Sequence, residues 1–337
     1  MSWRERRLVT ILSTILLILI AAVLVVLGIR YRENRAAKGE GPITDSAAVT
    51  VADQEAYTSL YYKTENFTLS FTKDELDAWS WDGNREFPLD DTVITEILAR
   101  LTAWDPQQTL TDAEALESSG VSTPTRTLIA TTGQGGTTTL AFGRATTDGT
   151  SRYVQLNGDE TTVYIVADPL YNLLDTPIYD MCRLPRLPEL NAGMIQSIAI
   201  SSVTEEDGHL APFTVLSAQR TEDGSTTTWR SNGANVTDDP SVIALLEDIT
   251  ALSITRCVLF DPSEEAASIC GFDSPAAGLT VVYTANGTDT SLNLTIGSRL
   301  PDGSGRYVRL GEDSTVYFLP TELLDPLMRL AAEGLAE

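Results

Sequence analysis

Apolar and polar positions fall into three regimes along the chain. Residues 8–29 read LVTILSTILLILIAAVLVVLGI, a run of 22 residues without a charge. At 1.5 Å per residue a helix of that length spans roughly 33 Å, enough for a bilayer core. The alternative, a cleaved signal peptide, has a shorter apolar region and a small-residue cleavage site. This run instead ends in Gly28-Ile29-Arg30-Tyr31-Arg32, which predicts an uncleaved anchor. Residues 30–62 then read as a stalk of basic, glycine and small residues.

Beyond it, helical and strand periods alternate. Phe67 to Phe71 and Phe213 to Leu216 read as extended runs, and each is followed by a Trp-bearing strand. Val93, Ile94, Ile97, Leu98 and Leu101 form an apolar stripe at helical spacing. Asp90-Asp91 precedes that stripe and Asp238-Asp239 precedes its later counterpart, where carboxylates cap orphan amides. Asn286-Gly287, between alternating segments, predicts a tight hairpin. Gly133 to Gly136 takes that part earlier in the chain, and strands followed by short helices close each half.

The order repeats. Trp81, Leu98, the Leu101 to Trp104 segment, Gly120 to Pro124, Gly143 and Arg152-Tyr153-Val154 recur about 150 residues later. Their counterparts are Trp229, Leu246, Ile249 to Leu252, Gly271 to Pro275, Gly297 and Arg306-Tyr307-Val308. The reading is α+β: an N-terminal transmembrane helix, then two tandem related α+β lobes with mainly antiparallel sheets. The expected segments are a cytoplasmic tail at 1–7, a membrane helix at 8–29, a stalk at 30–62, a first lobe at 63–182, a linker at 183–194 and a second lobe at 195–337.

Several of these features occur together in one family. Gly271-Phe272-Asp273-Ser274-Pro275, Ile296-Gly297, Arg306 to Leu310 and Val316-Tyr317 resemble a bacterial domain-of-unknown-function family of single-pass membrane-anchored proteins, often encoded beside gliding-type ABC transporters. The first half departs from its pattern at Val121-Ser122-Thr123. The resemblance implies an extracytoplasmic body and a partner such as ABC transporter subunits, and it carries over no catalytic residue. Arg4, Arg6 and Arg7 precede the apolar run while Arg30, Arg32, Arg35 and Lys38 follow it, so charge alone does not orient the helix. The N-terminal anchor position and the resemblance put the tail inside and the body outside, giving a single-pass protein of the cell membrane.

Composition narrows the chemistry. The 337 residues hold 23 Lys+Arg against 47 Asp+Glu, a formal charge of −24, and the acid is concentrated beyond residue 40. Such a body repels phosphate backbones, which excludes nucleic acid as a partner. One His and three Cys rule out His-rich metal sites and cysteine zinc sites. No cofactor motif is present: Thr132 to Thr137 lacks the ending of a phosphate loop.

Arg152, Tyr153, Arg306 and Tyr307 are the candidate interaction or ligand residues. An Arg and a Tyr suit a carboxylate or a sugar, but neighbours in a strand face opposite sides. The bland alternative puts each Tyr inward and lets each Arg cap a surface carboxylate. Cys257 and Cys270 are the candidate disulfide, with Cys182 left over as a small apolar linker residue. His209 reads as a solvated loop residue. The expected function is a non-enzymatic, membrane-anchored accessory or interaction subunit of an ABC-type transport system, held in the lipid bilayer through residues 8–29. A ligand-binding or sensor module, with a small molecule of unknown identity between the lobes, remains the alternative. A carboxylate-based glycan hydrolase is a third reading, and it requires two acids facing across a cleft.

Overall fold

Alternating apolar residues bring Arg126–Thr132 and Thr137–Ala145 into an antiparallel hairpin, with Leu128 opposite Leu140 and Arg126 opposite Phe142. The hairpin lies at the centre of an eight-stranded sheet in the computed structural model of the chain. That structure describes residues 56–111, 113–203, 210–221 and 226–335. The expected tail, membrane helix, His209 and most of the stalk lie outside the described residues. Among the described residues no helix is long and apolar enough to cross a membrane.

The first sheet contains β1 (Tyr57–Lys63), β2 (Thr68–Lys73), β3 (Trp79–Trp81), β4 (Gln108–Leu110), β5 (Arg126–Thr132), β6 (Thr137–Ala145), β7 (Ser151–Leu156) and β8 (Val163–Ala167). Their order across the sheet is β3-β2-β1-β5-β6-β7-β8-β4, with neighbours antiparallel. Its helices are α1 (Thr92–Thr102), α2 (Ala113–Ser118) and α3 (Pro169–Leu173), and a 3₁₀ turn follows at Ile178–Met181.

The second sheet contains β9 (Ile195–Val203), β10 (Leu210–Arg220), β11 (Thr227–Ser231), β12 (Ala234–Asn235), β13 (Arg256–Leu259), β14 (Ala277–Ala285), β15 (Thr288–Arg299), β16 (Gly305–Leu310) and β17 (Val316–Pro320). Their order is β12-β11-β10-β9-β14-β15-β16-β17-β13. Its helices are α4 (Pro240–Ala251), α5 (Glu264–Ile269) and α6 (Thr321–Glu333). Apart from the edge strand β12, it repeats the strand order of the first sheet. Val51–Glu337 is one compact unit containing both sheets.

The stalk boundary needs correction. Tyr57–Lys63 is an interior strand between β2 and β5, and Tyr57, Leu60 and Tyr62 are fully buried. The expected boundary at 62 already left Tyr57, Leu60, Tyr61 and Tyr62 open to the folded part. Hydrogen bonding on both edges, which sequence periodicity does not register, makes this segment central.

Local chemistry explains the helix starts. The Thr92 amide donates to Asp90 Oδ1 (3.0 Å) ahead of α1, and the Ser241 amide donates to Asp239 Oδ1 (2.7 Å) at α4. Ile94, Ile97, Leu98 and Leu101 bury the inner face of α1. Leu324, Leu327 and Leu330 do the same for α6, which packs against α4 and β9.

One device recurs in both sheets. The register shifts between Phe142 and Ala145 in β6, and between Ile296 and Arg299 in β15. Gly143 and Gly297 sit at these irregularities. A Cβ on Gly143 would lie 2.3 Å from the Ser119 carbonyl oxygen, and one on Gly297 would lie 2.2 Å from that of Cys270. Each close approach is sealed by the next amide: Arg144 N donates to Ser119 O and Ser298 N to Cys270 O, both at 2.8 Å.

Candidate functional site

The charged side chains expected to be available are largely committed to neighbours. Arg152 leaves β7 on the same side as buried Val154 and Leu156. Its guanidinium lies 3.6 Å from the centre of the Tyr171 ring on α3. Its Nε approaches Asp168 Oδ1 at 3.3 Å, and both side chains are mostly buried. The approach is an ion pair without hydrogen-bond geometry, so those two atoms have no hydrogen-bond partner. Arg126, from β5, lies 3.8 Å from the same ring, donates to the Tyr171 carbonyl and pairs with Asp175 at 3.0 Å. Phe142 meets Tyr171 edge-on at 5.7 Å, and the Tyr171 hydroxyl and Thr125 share a hydrogen bond of 3.3 Å. Two cations, two carboxylates and one ring thus fasten α3 to the face of the sheet.

In the first sheet Arg152 does meet a carboxylate, as the bland alternative has it, but on the helix-facing side of the strand. Arg152 points toward the helix, and Tyr153 takes the other face. Strand alternation alone does not say which parity is inward, and Tyr171, the residue that draws Arg152 in, is remote in sequence.

Arg306 occupies the matching strand position in β16. Its surroundings differ, because Thr321 and Leu324 stand where Asp168 and Tyr171 stand in the first sheet. Arg306 instead donates to the Gly297 carbonyl at 3.0 Å. Burial and nearby Arg299 depress its pKa, while Asp325 opposes them. Burial raises the pKa of Tyr307, with smaller contributions from Cys270 and Asp302. Arg152 is thus held by α3 and by Asp168 at its N-terminus, and Arg306 by the neighbouring strand β15. Among the described residues the second sheet shows no copy of the Arg–Tyr–Asp cluster.

The junction between the sheets is aromatic and sulfur-bearing. Phe87 meets Trp81 at 5.6 Å, Tyr179 at 6.1 Å and, across the junction, Phe260 at 5.5 Å. Residues 88–90 are laced to 181–183: Asp90 N donates to Met181 O, Arg183 N to Pro88 O, and the Arg183 side chain to Leu89 O. The start of the expected linker is therefore pinned to the first sheet.

The disulfide expectation is corrected here. All three cysteines are free thiols, and the side chain that Cys257 meets is Cys182, not Cys270. Cys270 closes the end of α5, where burial raises its pKa and Arg309 opposes the rise. The sequence left the Cys257–Cys270 bridge open, because sequence separation says nothing about which face of β13 a side chain leaves from.

Among the described residues no group of three His, Cys, Asp or Glu side chains is placed to hold a metal ion. Sequence reasoning missed Arg126, Asp168 and Tyr171. Only the Asp168-Pro169 helix start was a visible signal, and it did not point to Arg152.

Residues 79–275 match the family described as Domain of unknown function (DUF4340). The matched stretch is more than half of the chain. The chain belongs to the DUF4340 family. The DUF4340 match runs from β3 of the first sheet to the segment after α5 in the second, so it takes in the junction and the Arg152–Tyr171 cluster. It agrees with the resemblance to a domain-of-unknown-function family. No curated protein and no solved structure matches the chain.

Proposed function

We propose that this DUF4340 protein is a non-enzymatic, membrane-anchored subunit whose extracytoplasmic body engages an ABC-type transporter. In this reading residues 8–29 span the bilayer, residues 1–7 remain inside, and the body consists of two tandem copies of one α+β unit. The observation that carries it is the pairing of an uncharged 22-residue apolar run with a compact, acidic body. The shared strand order of the two sheets supports duplication. The engagement of Arg126 and Arg152 with Tyr171, Asp168 and Asp175 supports a scaffold whose outer surfaces make the contacts.

The test is a crosslinked pull-down of the tagged full-length protein from native membranes, read by mass spectrometry. Transporter subunits at near-stoichiometric recovery are the expected result. Recovery of the protein alone overturns the accessory role. Sidedness is tested separately by labelling a cysteine introduced on the body. Labelling only after permeabilisation overturns the outside assignment.

A further inference from the structure

We propose that Cys182 and Cys257 are a redox-reactive pair that closes into a disulfide stapling the second sheet to the first. The two thiols belong to different halves of the chain and meet directly. Each is fixed by its own backbone. Cys182 follows the 3₁₀ turn and bridges Leu89, whereas Cys257 lies in β13 opposite Tyr317. The strand β13 packs against that 3₁₀ turn, and the Phe87–Phe260 contact holds the approach three residues beyond Cys257. A disulfide requires Cα atoms roughly 4.4–6.8 Å apart and side chains aimed at one another. Thiols already in contact on two anchored segments are placed to face one another. Cys270 is engaged elsewhere, under Gly297 and near Tyr307 and Arg309. The pairing is a property of the fold and does not depend on the transporter reading.

The chemistry is thiol–disulfide exchange with a small disulfide oxidant such as oxidised glutathione. The hydrogen bond between the two thiols lowers the Cys182 pKa and raises that of Cys257. Once opening exposes the pair, either thiol can start the exchange, here Cys182. Its thiolate attacks one glutathione sulfur, the glutathione disulfide breaks, and one glutathione thiolate leaves. Cys257 then loses its proton and attacks the Cys182 sulfur, expelling the second glutathione. Two protein thiols are oxidised and one glutathione disulfide is reduced to two thiols. With Cys182 6% and Cys257 2% exposed, the exchange proceeds during folding or local opening.

The test uses the full-length chain, unfolded and refolded with a glutathione couple, then trapped with N-ethylmaleimide and mapped as non-reduced peptides. A Cys182–Cys257 crosslink with Cys270 alkylated is the expected result. Oxidation is also expected to raise Tm by about 5–10 °C in the wild type and in Cys270→Ser, but not in Cys182→Ser. Alkylated Cys182 after complete refolding, or a Cys257–Cys270 crosslink, overturns the proposal. The wild-type peptide map decides the pairing even if a variant misfolds.

Discussion

The Arg152 guanidinium stacks 3.6 Å from the centre of the Tyr171 ring, with Arg126 3.8 Å from the same ring. An arginine in this position gives stacking, charge and coverage of apolar surface together. Arg152→Ala removes all three and leaves the mostly buried Asp168 uncompensated. A loss of about 1–3 kcal/mol in urea unfolding is expected. Arg152→Lys keeps the charge but loses the planar stack, so it should recover only part of that loss. Full recovery by lysine would show that charge, not stacking, fastens α3.

Gly297 makes a sterically sharper prediction. An alanine methyl there would collide with the Cys270 carbonyl, whose position is fixed by the Ser298 amide. Gly297→Ala is expected to cost about 2–3 kcal/mol, with Gly143→Ala behaving alike. Gly287→Ala meets nothing in space but retains a φ of +78°, and should cost about 1 kcal/mol. Denaturant midpoints of the three variants test the ranking.

Asp90 ties the turn ahead of α1 to acid stability. Hydrogen bonds from the Thr92 side chain and amide hold its carboxyl below the ordinary range. Its contribution is therefore present above the unfolded carboxylate value near about 4 and is lost as pH falls through the lower folded value. Asp90→Ala is expected to cost about 1 kcal/mol at neutral pH. The gap between wild type and variant should close on acidification, as followed by thermal melts from pH 7 downward.

Tyr62 gives the opposite sign. Burial pushes its pKa above the ordinary phenol value, and its hydroxyl donates to Thr176 O at 3.4 Å. Its stabilising effect is complete below the unfolded value near about 10 and is lost as pH rises toward the folded one. Urea midpoints at pH 8 and pH 10.5 should fall further for wild type than for Tyr62→Phe. An equal fall would place the alkaline sensitivity elsewhere, for example at Tyr317 beside Asp313, whose pKa is also raised by burial.

The sequence made the helix α1, the Asn286-Gly287 hairpin and the repeated Arg-Tyr-Val strands legible, because each rests on a short period or turn residue. Asn286 and Gly287 both have positive φ, as the tight turn demands. The β1 strand was misplaced because its partners, β2 and β5, lie on either side of a long intervening segment. The candidate site was legible only as residue types. Arg152 was singled out, but its role depends on Tyr171, and Cys257 depends on Cys182. Those relationships arise from packing distant segments together, where local pattern carries no weight.

Both sheets finish in very small pieces of strand. The outer strands β3 and β4 have three residues each, β12 has two and β13 has four. A bare sheet margin invites another chain to add itself and propagate a fibre, and short margins supply too few open amides and carbonyls to guide that addition. Two broad open sheets can therefore persist at high local concentration without growing edge to edge, and lengthening β4 or β12 would be the most direct way to turn this protein into an aggregating one.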